Sequence, residues 1–121
     1  MIFIDYRDTR PIYEQVTERF KMLILRGVLT PDEKMPSVRN LAVDLSINPN
    51  TIQRAYSELE RQGYIYTVKG KGNFVSDDGE LFVKYKEEIF AELKRICEAA
   101  FEAGITEEEL IRRIKGEKAN D

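Results

Sequence analysis

PSVRNLAVDLSINPNTIQRAYSELERQGYIYTVKGKGNFV, residues 36–75, is the stretch that decides the fold. Ser37, straight after Pro36, is placed to cap a short helix whose inward side carries Leu41, Ala42 and Leu45. Ile47 follows, and Asn48-Pro49 opens another helix with a capping side chain and a proline suited to the first turn. Ile52, Ala55, Tyr56 and Leu59 form one apolar face of that helix, and Gly63 stops it. Only about three residues separate the two helices, the connection of a helix-turn-helix. Beyond Gly63 the period changes to two. Residues 64–68 and 73–76 are rich in aromatic and β-branched types, and Lys69-Gly70-Lys71-Gly72 lies between them as a hairpin tip.

Upstream, Thr9-Arg10-Pro11 predicts another helix start, with Thr9 as cap and Pro11 in the first turn. Ile12, Val16, Phe20, Leu23 and Ile24 recur at helical spacing, and Gly27 ends the run. Residues 2–4 are apolar and β-favouring, an extended segment that would pin the N-terminus. Residues 29–36, with two prolines and several charges, read as a loop. The sum is mainly α with a small β hairpin: a winged helix-turn-helix over residues 1–78.

Asp77-Asp78-Gly79 marks the end of that head. In the tail, residues 79–121, Phe82, Tyr85, Ile89, Leu93, Ile96 and Ala100 step by three or four through a long helix ending near Gly104. Thr106 with Glu109 is a capping box for a last helix carrying Leu110, Ile111 and Ile114. A helix of about 22 residues has more apolar face than one short partner covers, so a homodimer through Phe82, Tyr85, Ile89, Leu93 and Ile96 is the expected outlet. Cys97 reads as a small buried apolar residue of the same helix.

The chain has 121 residues, no histidine and a single cysteine. An internal disulfide and a cysteine-rich zinc site are therefore excluded, and the commonest metal ligand and general base are missing. No Gly-rich phosphate loop follows a strand, and no nucleophile elbow is present. The expectation is a protein without catalytic residues, bound metal or cofactor. The opening residues have no signal-peptide h-region and no apolar run approaches a membrane span, so the expected location is the cytoplasm, with no membrane partner.

The net charge of −3 argues at first against nucleic acid. Its distribution argues the other way. Residues 34–76 hold Lys34, Arg39, Arg54, Arg61, Lys69 and Lys71 against Asp44, Glu58 and Glu60, a local excess of three cations. A recognition helix presents short polar side chains at its N-terminal end to the major groove, and Asn48, Pro49, Asn50, Thr51 and Gln53 fill that end. Asn48 reads equally as a plain cap. Arg39, in the first turn of its helix, is badly placed against the helix dipole unless a phosphate lies nearby. Arg54 reads either as a DNA contact or as a surface ion pair with Glu58. Lys69, Gly70 and Lys71 put two cations beside flexible backbone at the wing tip, near a minor groove or its phosphates. Tyr56, Tyr64, Tyr66, Phe20 and Phe74 read as packing residues.

Three strings taken in order, residues 36–42, 48–56 and 69–75, resemble the GntR family of bacterial regulators. The second string and the short tail look most like its YtrA subfamily, in which a pair of dimerising helices replaces a large effector-binding domain. The resemblance implies a regulator, a repressor by expectation, that binds double-stranded operator DNA as a homodimer. It also implies DNA contact by Ser37 and Arg39, with Arg39 the best supported. Asp32-Glu33 depart from the pattern, since a glycine is usual in that loop; the departure should alter a turn and leave the DNA face alone. Two alternatives stay open on the residues: a winged helix serving as a protein-interaction module, favoured by the acidic total charge, and an effector pocket lined by Phe90 and Phe101, for which no convergent polar groups are visible.

Overall fold

The computed structural model describes residues 2–117. Its helices are α1 (Ile12–Leu25), α2 (Val38–Leu45), α3 (Pro49–Arg61), α4 (Leu81–Glu102) and α5 (Glu107–Ile114), with strands β1 (Ile65–Val68) and β2 (Gly72–Val75) between α3 and α4. Two compact units divide the chain, Met1–Leu81 and Phe82–Asp121. The division falls inside α4 because its first residue, Leu81, is buried in the core of the first unit.

The first unit packs α1, α2 and α3 around Val16, Phe20, Leu41, Ala42, Ile52, Ala55, Tyr56 and Leu59, all buried. Phe20 and Tyr56 meet edge to face with ring centroids 5.7 Å apart, the arrangement their quadrupoles favour. Ile2 joins this core and Ile4 packs against it, so the N-terminus is pinned by apolar side chains and not by strand pairing. The α1 start differs from expectation. Pro11 occupies the cap position and no side chain caps the helix. Thr9 therefore does not cap it; instead Gln15, buried in the first turn, donates to the carbonyls of Arg10 (3.2 Å) and Asp5 (3.1 Å) and accepts from the Asp5 amide (3.0 Å).

β1 and β2 pair antiparallel, with Tyr66 opposite Phe74 and Val68 opposite Gly72. The loop expected at residues 29–36 contributes more than a connection. Lys34 bridges Phe74, the Met35 amide donates to the Asn73 carbonyl at 2.8 Å, and the Val75 amide donates to the Glu33 carbonyl at 2.9 Å. This short stretch covers the free edge of β2. Asp32 precedes it at φ 65°, in the left-handed region that disfavours side chains. A glycine would sit there without strain, which is the physical sense of the glycine usual at this loop.

In the second unit Thr106 caps α5 by accepting from the Glu109 amide at 3.2 Å. Ala100 is buried and accepts, at its carbonyl, from the Ile105 amide as the chain turns out of α4. Cys97 is half-buried, less enclosed than expected.

Candidate nucleic-acid interface

Two helix N-termini and one hairpin carry the candidate residues. At α2, the Ser37 hydroxyl accepts from the Asn40 amide at 3.1 Å. That bond satisfies one of the amides left free at the helix start and fixes the turn from which Arg39 projects. Arg39 is exposed, and the first turn of α2 holds no carboxylate to offset the dipole. At α3, the Asn48 side chain accepts from the Asn50 amide at 2.8 Å, and Pro49 takes the first helical position. Asn48 is thus a cap in fact, with its amide group still at the surface. Pro49, Asn50 and Gln53 are exposed and Thr51 is half-buried. Gln53 donates to the Ser57 hydroxyl one turn on, at 3.2 Å, a surface bond that a base edge can displace.

The two helices are held in one relationship by the chain around them. Ser46, at φ 55°, makes the left-handed turn out of α2, and the Ile47 amide returns to the Ala42 carbonyl at 2.9 Å. The hydroxyl of Tyr56, from the buried side of α3, donates to the Pro36 carbonyl at 2.7 Å, just before α2. Burial pushes the Tyr56 phenol far above its ordinary range, so it stays a donor at every working pH.

Arg54 does not form the alternative ion pair with Glu58. Glu58 is bound instead by Arg61 and by Gln62 (2.7 Å), and these bonds hold its carboxyl down at about 2. The Arg54 guanidinium lies 3.8 Å from the centre of the Tyr13 ring, on α1. It is exposed on its other side, so the stack fixes its direction without enclosing it. Tyr13 is the partner the sequence did not disclose.

In the wing, the Lys71 amide donates to the Val68 carbonyl at 2.9 Å, closing a turn through Lys69 and Gly70. Gly70, at φ 79°, supplies the positive angle such a turn asks of its third residue. Lys69, Gly70 and Lys71 are all exposed. Among the described residues no carboxylate lies within ion-pair distance of Arg39, Lys69 or Lys71. The wing is tied to α3 by Thr67, whose hydroxyl donates to the Glu60 carboxylate and lies 2.8 Å from Asn73 Oδ1. Tyr56, Tyr64 and Phe20 are core residues; Tyr66 is partly exposed and stacks on Phe74 at 5.7 Å, with its hydroxyl donating to Asp32 at 2.7 Å.

The expected tail residues form one surface of α4. Phe82, Ile89, Leu93 and Ile96 are 44–59% exposed and Tyr85 is half-buried. Phe90 and Phe101 are exposed as well, so they enclose no pocket among the described residues. A groove of about 450 Å³ between α1 and α3 is lined by Arg10, Tyr13, Glu18, Lys21 and Glu58 among others. Its charges answer one another: Lys21 faces Glu18 at 3.8 Å, and Glu58 is held by Arg61. No cluster of potential metal ligands occurs among the described residues. No helix there is long and apolar enough to cross a membrane.

Capped α2 and α3 at helix-turn-helix spacing, followed by a lysine-tipped hairpin, define a winged helix-turn-helix DNA-binding regulator. The profile of the bacterial regulatory proteins of the gntR family matches residues 12–75. The HTH-type transcriptional repressor YtrA of Bacillus subtilis is 41% identical over 130 aligned positions that span all of both chains. A GntR family transcriptional regulator from Listeria monocytogenes superposes with a TM-score of 0.77 at 34% identity, over 95% of this chain and all of that one. A crystal structure of AraR(DBD) in complex with operator ORE1 matches 63% of this chain and 93% of that one, at 32% identity and a TM-score of 0.54. The chain belongs to the GntR family, in its short-tailed YtrA-like branch. It is a transcriptional regulator that binds DNA and not an enzyme.

Proposed function

We propose that the protein is a repressor that binds a palindromic operator as a homodimer, each subunit placing α3 in the major groove and its wing on the adjacent minor groove. The observation that carries this reading is the set of unpaired cations and polar side chains at the two helix starts and the wing tip. Arg39, Lys69 and Lys71 have no carboxylate partner among the described residues, and Asn50 and Gln53 stand exposed at the start of α3. Unpaired cations at these places are what phosphate oxygens would neutralise, releasing counterions. Asn50 and Gln53 are suited to adenine, through paired hydrogen bonds to its major-groove edge. Ser37 and Thr51 serve phosphates, and Asn48 and Pro49 set the helix start. Arg54, steered by Tyr13, reaches the backbone.

Two copies are required because a single head reads only half a site. The exposed α4 face of Phe82, Ile89, Leu93 and Ile96, with Tyr85 beside it, is the surface that joins them. Repression follows from occupancy of a promoter, in line with the repressor name of the Bacillus subtilis relative. The test is sedimentation of the protein alone and on a duplex recovered from a random pool. Two chains per duplex, and a stable dimer without DNA, support the reading. One chain per duplex overturns the dimer.

A further inference from the structure

We propose that Lys34 is a third wing cation, one that reaches the operator's phosphates across Gly72. It lies outside the hairpin, in the stretch that covers the edge of β2. The inference rests on the operator-binding reading above.

Three observations carry it. First, Lys34 pairs directly with Phe74. Paired residues share a face of a sheet, and Gly72, two residues from Phe74, lies on that same face. Second, the lysine stem crosses that glycine. A Cβ built on Gly72 would stand 3.2 Å from Lys34 Cε and 4.0 Å from Nζ. Gly72 also has φ 120°, which disfavours any side chain there, and a Cβ would make the Lys34 stem shift by a few tenths of an ångström. The bare glycine is a track for the stem, which packs its methylenes while the ammonium stays in water. Third, nothing nearby neutralises that ammonium. Lys34 is exposed, and no carboxylate among the described residues lies within ion-pair distance of it. Its two acidic neighbours are engaged elsewhere: Asp32 accepts from the Tyr66 hydroxyl at 2.7 Å, and Glu33 accepts from the Thr30 amide and hydroxyl at 3.1 and 3.2 Å. The fold thus turns these two carboxylates to other partners, away from an ion pair with Lys34, and lays the lysine stem along the wing. A long, flexible cation held this way loses less freedom when it meets a phosphate.

The experiment measures affinity against salt for the full chain, on the duplex selected from a random pool and on an unrelated duplex of equal length. A phosphate contact carries no sequence information, so Lys34→Gln is expected to lower the salt slope equally on both. The slope should fall by about 0.9 per subunit, so for a dimer the affinity drops about 12-fold less between 50 and 200 mM salt than it does for the parent protein. Lys34→Arg should restore the slope. If Lys34→Gln leaves the slope unchanged while Lys71→Gln and Arg39→Ala lower it, the Lys34 assignment is overturned and operator binding stands. If the parent protein itself shows no salt dependence on either duplex, the operator-binding reading fails and Lys34 with it.

Discussion

The Tyr56 hydroxyl donates to the Pro36 carbonyl at 2.7 Å, joining the buried side of α3 to the residue just before α2. This one bond sets the two halves of the helix-turn-helix against each other from behind. Replacing Tyr56 with Phe keeps the ring and its edge contact with Phe20 but leaves the carbonyl without its partner. The expected cost is about 1–3 kcal/mol of stability. Urea unfolding of Tyr56→Phe measures it, and an unchanged midpoint would show that water replaces the hydroxyl.

Asp32 and its departure from the usual glycine give a paired prediction. Asp32→Ala removes the acceptor for Tyr66 and leaves the strained φ of 65° in place. Asp32→Gly loses the acceptor but relieves the backbone. The glycine variant should be the more stable of the two by about 1 kcal/mol, read as a difference in thermal midpoint at one pH.

Glu58 makes a pH prediction whose sign is fixed by its environment. Arg61 and Gln62 hold its carboxyl at about 2, below the ordinary carboxylate range. Its contribution is therefore complete above the ordinary range and is lost as pH falls toward about 2. Arg61 is largely open to solvent and Glu58 is half-buried, so the contribution stays under about 1 kcal/mol. The stability difference between the parent and Glu58→Gln should be constant from neutral pH down to the ordinary carboxylate value and shrink below it. A difference that grew on acidification would contradict the assignment.

Gln53 and Arg39 should fail in different ways. If Gln53 reads a base edge as proposed, Gln53→Ala is expected to relax discrimination at one operator position by about 1–3 kcal/mol. If Arg39 holds a phosphate as proposed, Arg39→Ala should weaken all sequences alike. Affinities on a set of single-base operator variants separate the two patterns.

Leu93→Glu puts a charge in the middle of the exposed α4 face. The account expects a folded monomer whose operator affinity falls by at least 10-fold, because two linked heads bind far better than one. Sedimentation and titration on the same sample check both halves of that statement.

Much of the fold was legible because its decisive signals are local. Ser37 and Asn48 cap the helices they precede, each within three residues of the amide it binds. The apolar face of α3 and the change to period two after Gly63 need no tertiary information either. The elements that escaped join distant residues. Tyr56 reaches Pro36, Arg54 reaches Tyr13, and Lys34 crosses Gly72, and no periodicity encodes such pairs. Thr9 misled for the opposite reason: a capping residue type stood near a helix start, but Pro11 took the cap and the buried Gln15 met the neighbouring carbonyls. The glycine-to-aspartate departure was visible only against the family pattern, and the positive φ that makes glycine usual there only in the structure.

The central claim is that two copies of this head read one palindrome. Selection of duplexes from a random pool by the full-length protein tests it most directly. The account predicts a consensus with two inverted half-sites about one helical turn apart, lost when Gln53 and Arg39 are replaced together. A pool that stays random, or a consensus with a single half-site, would contradict it.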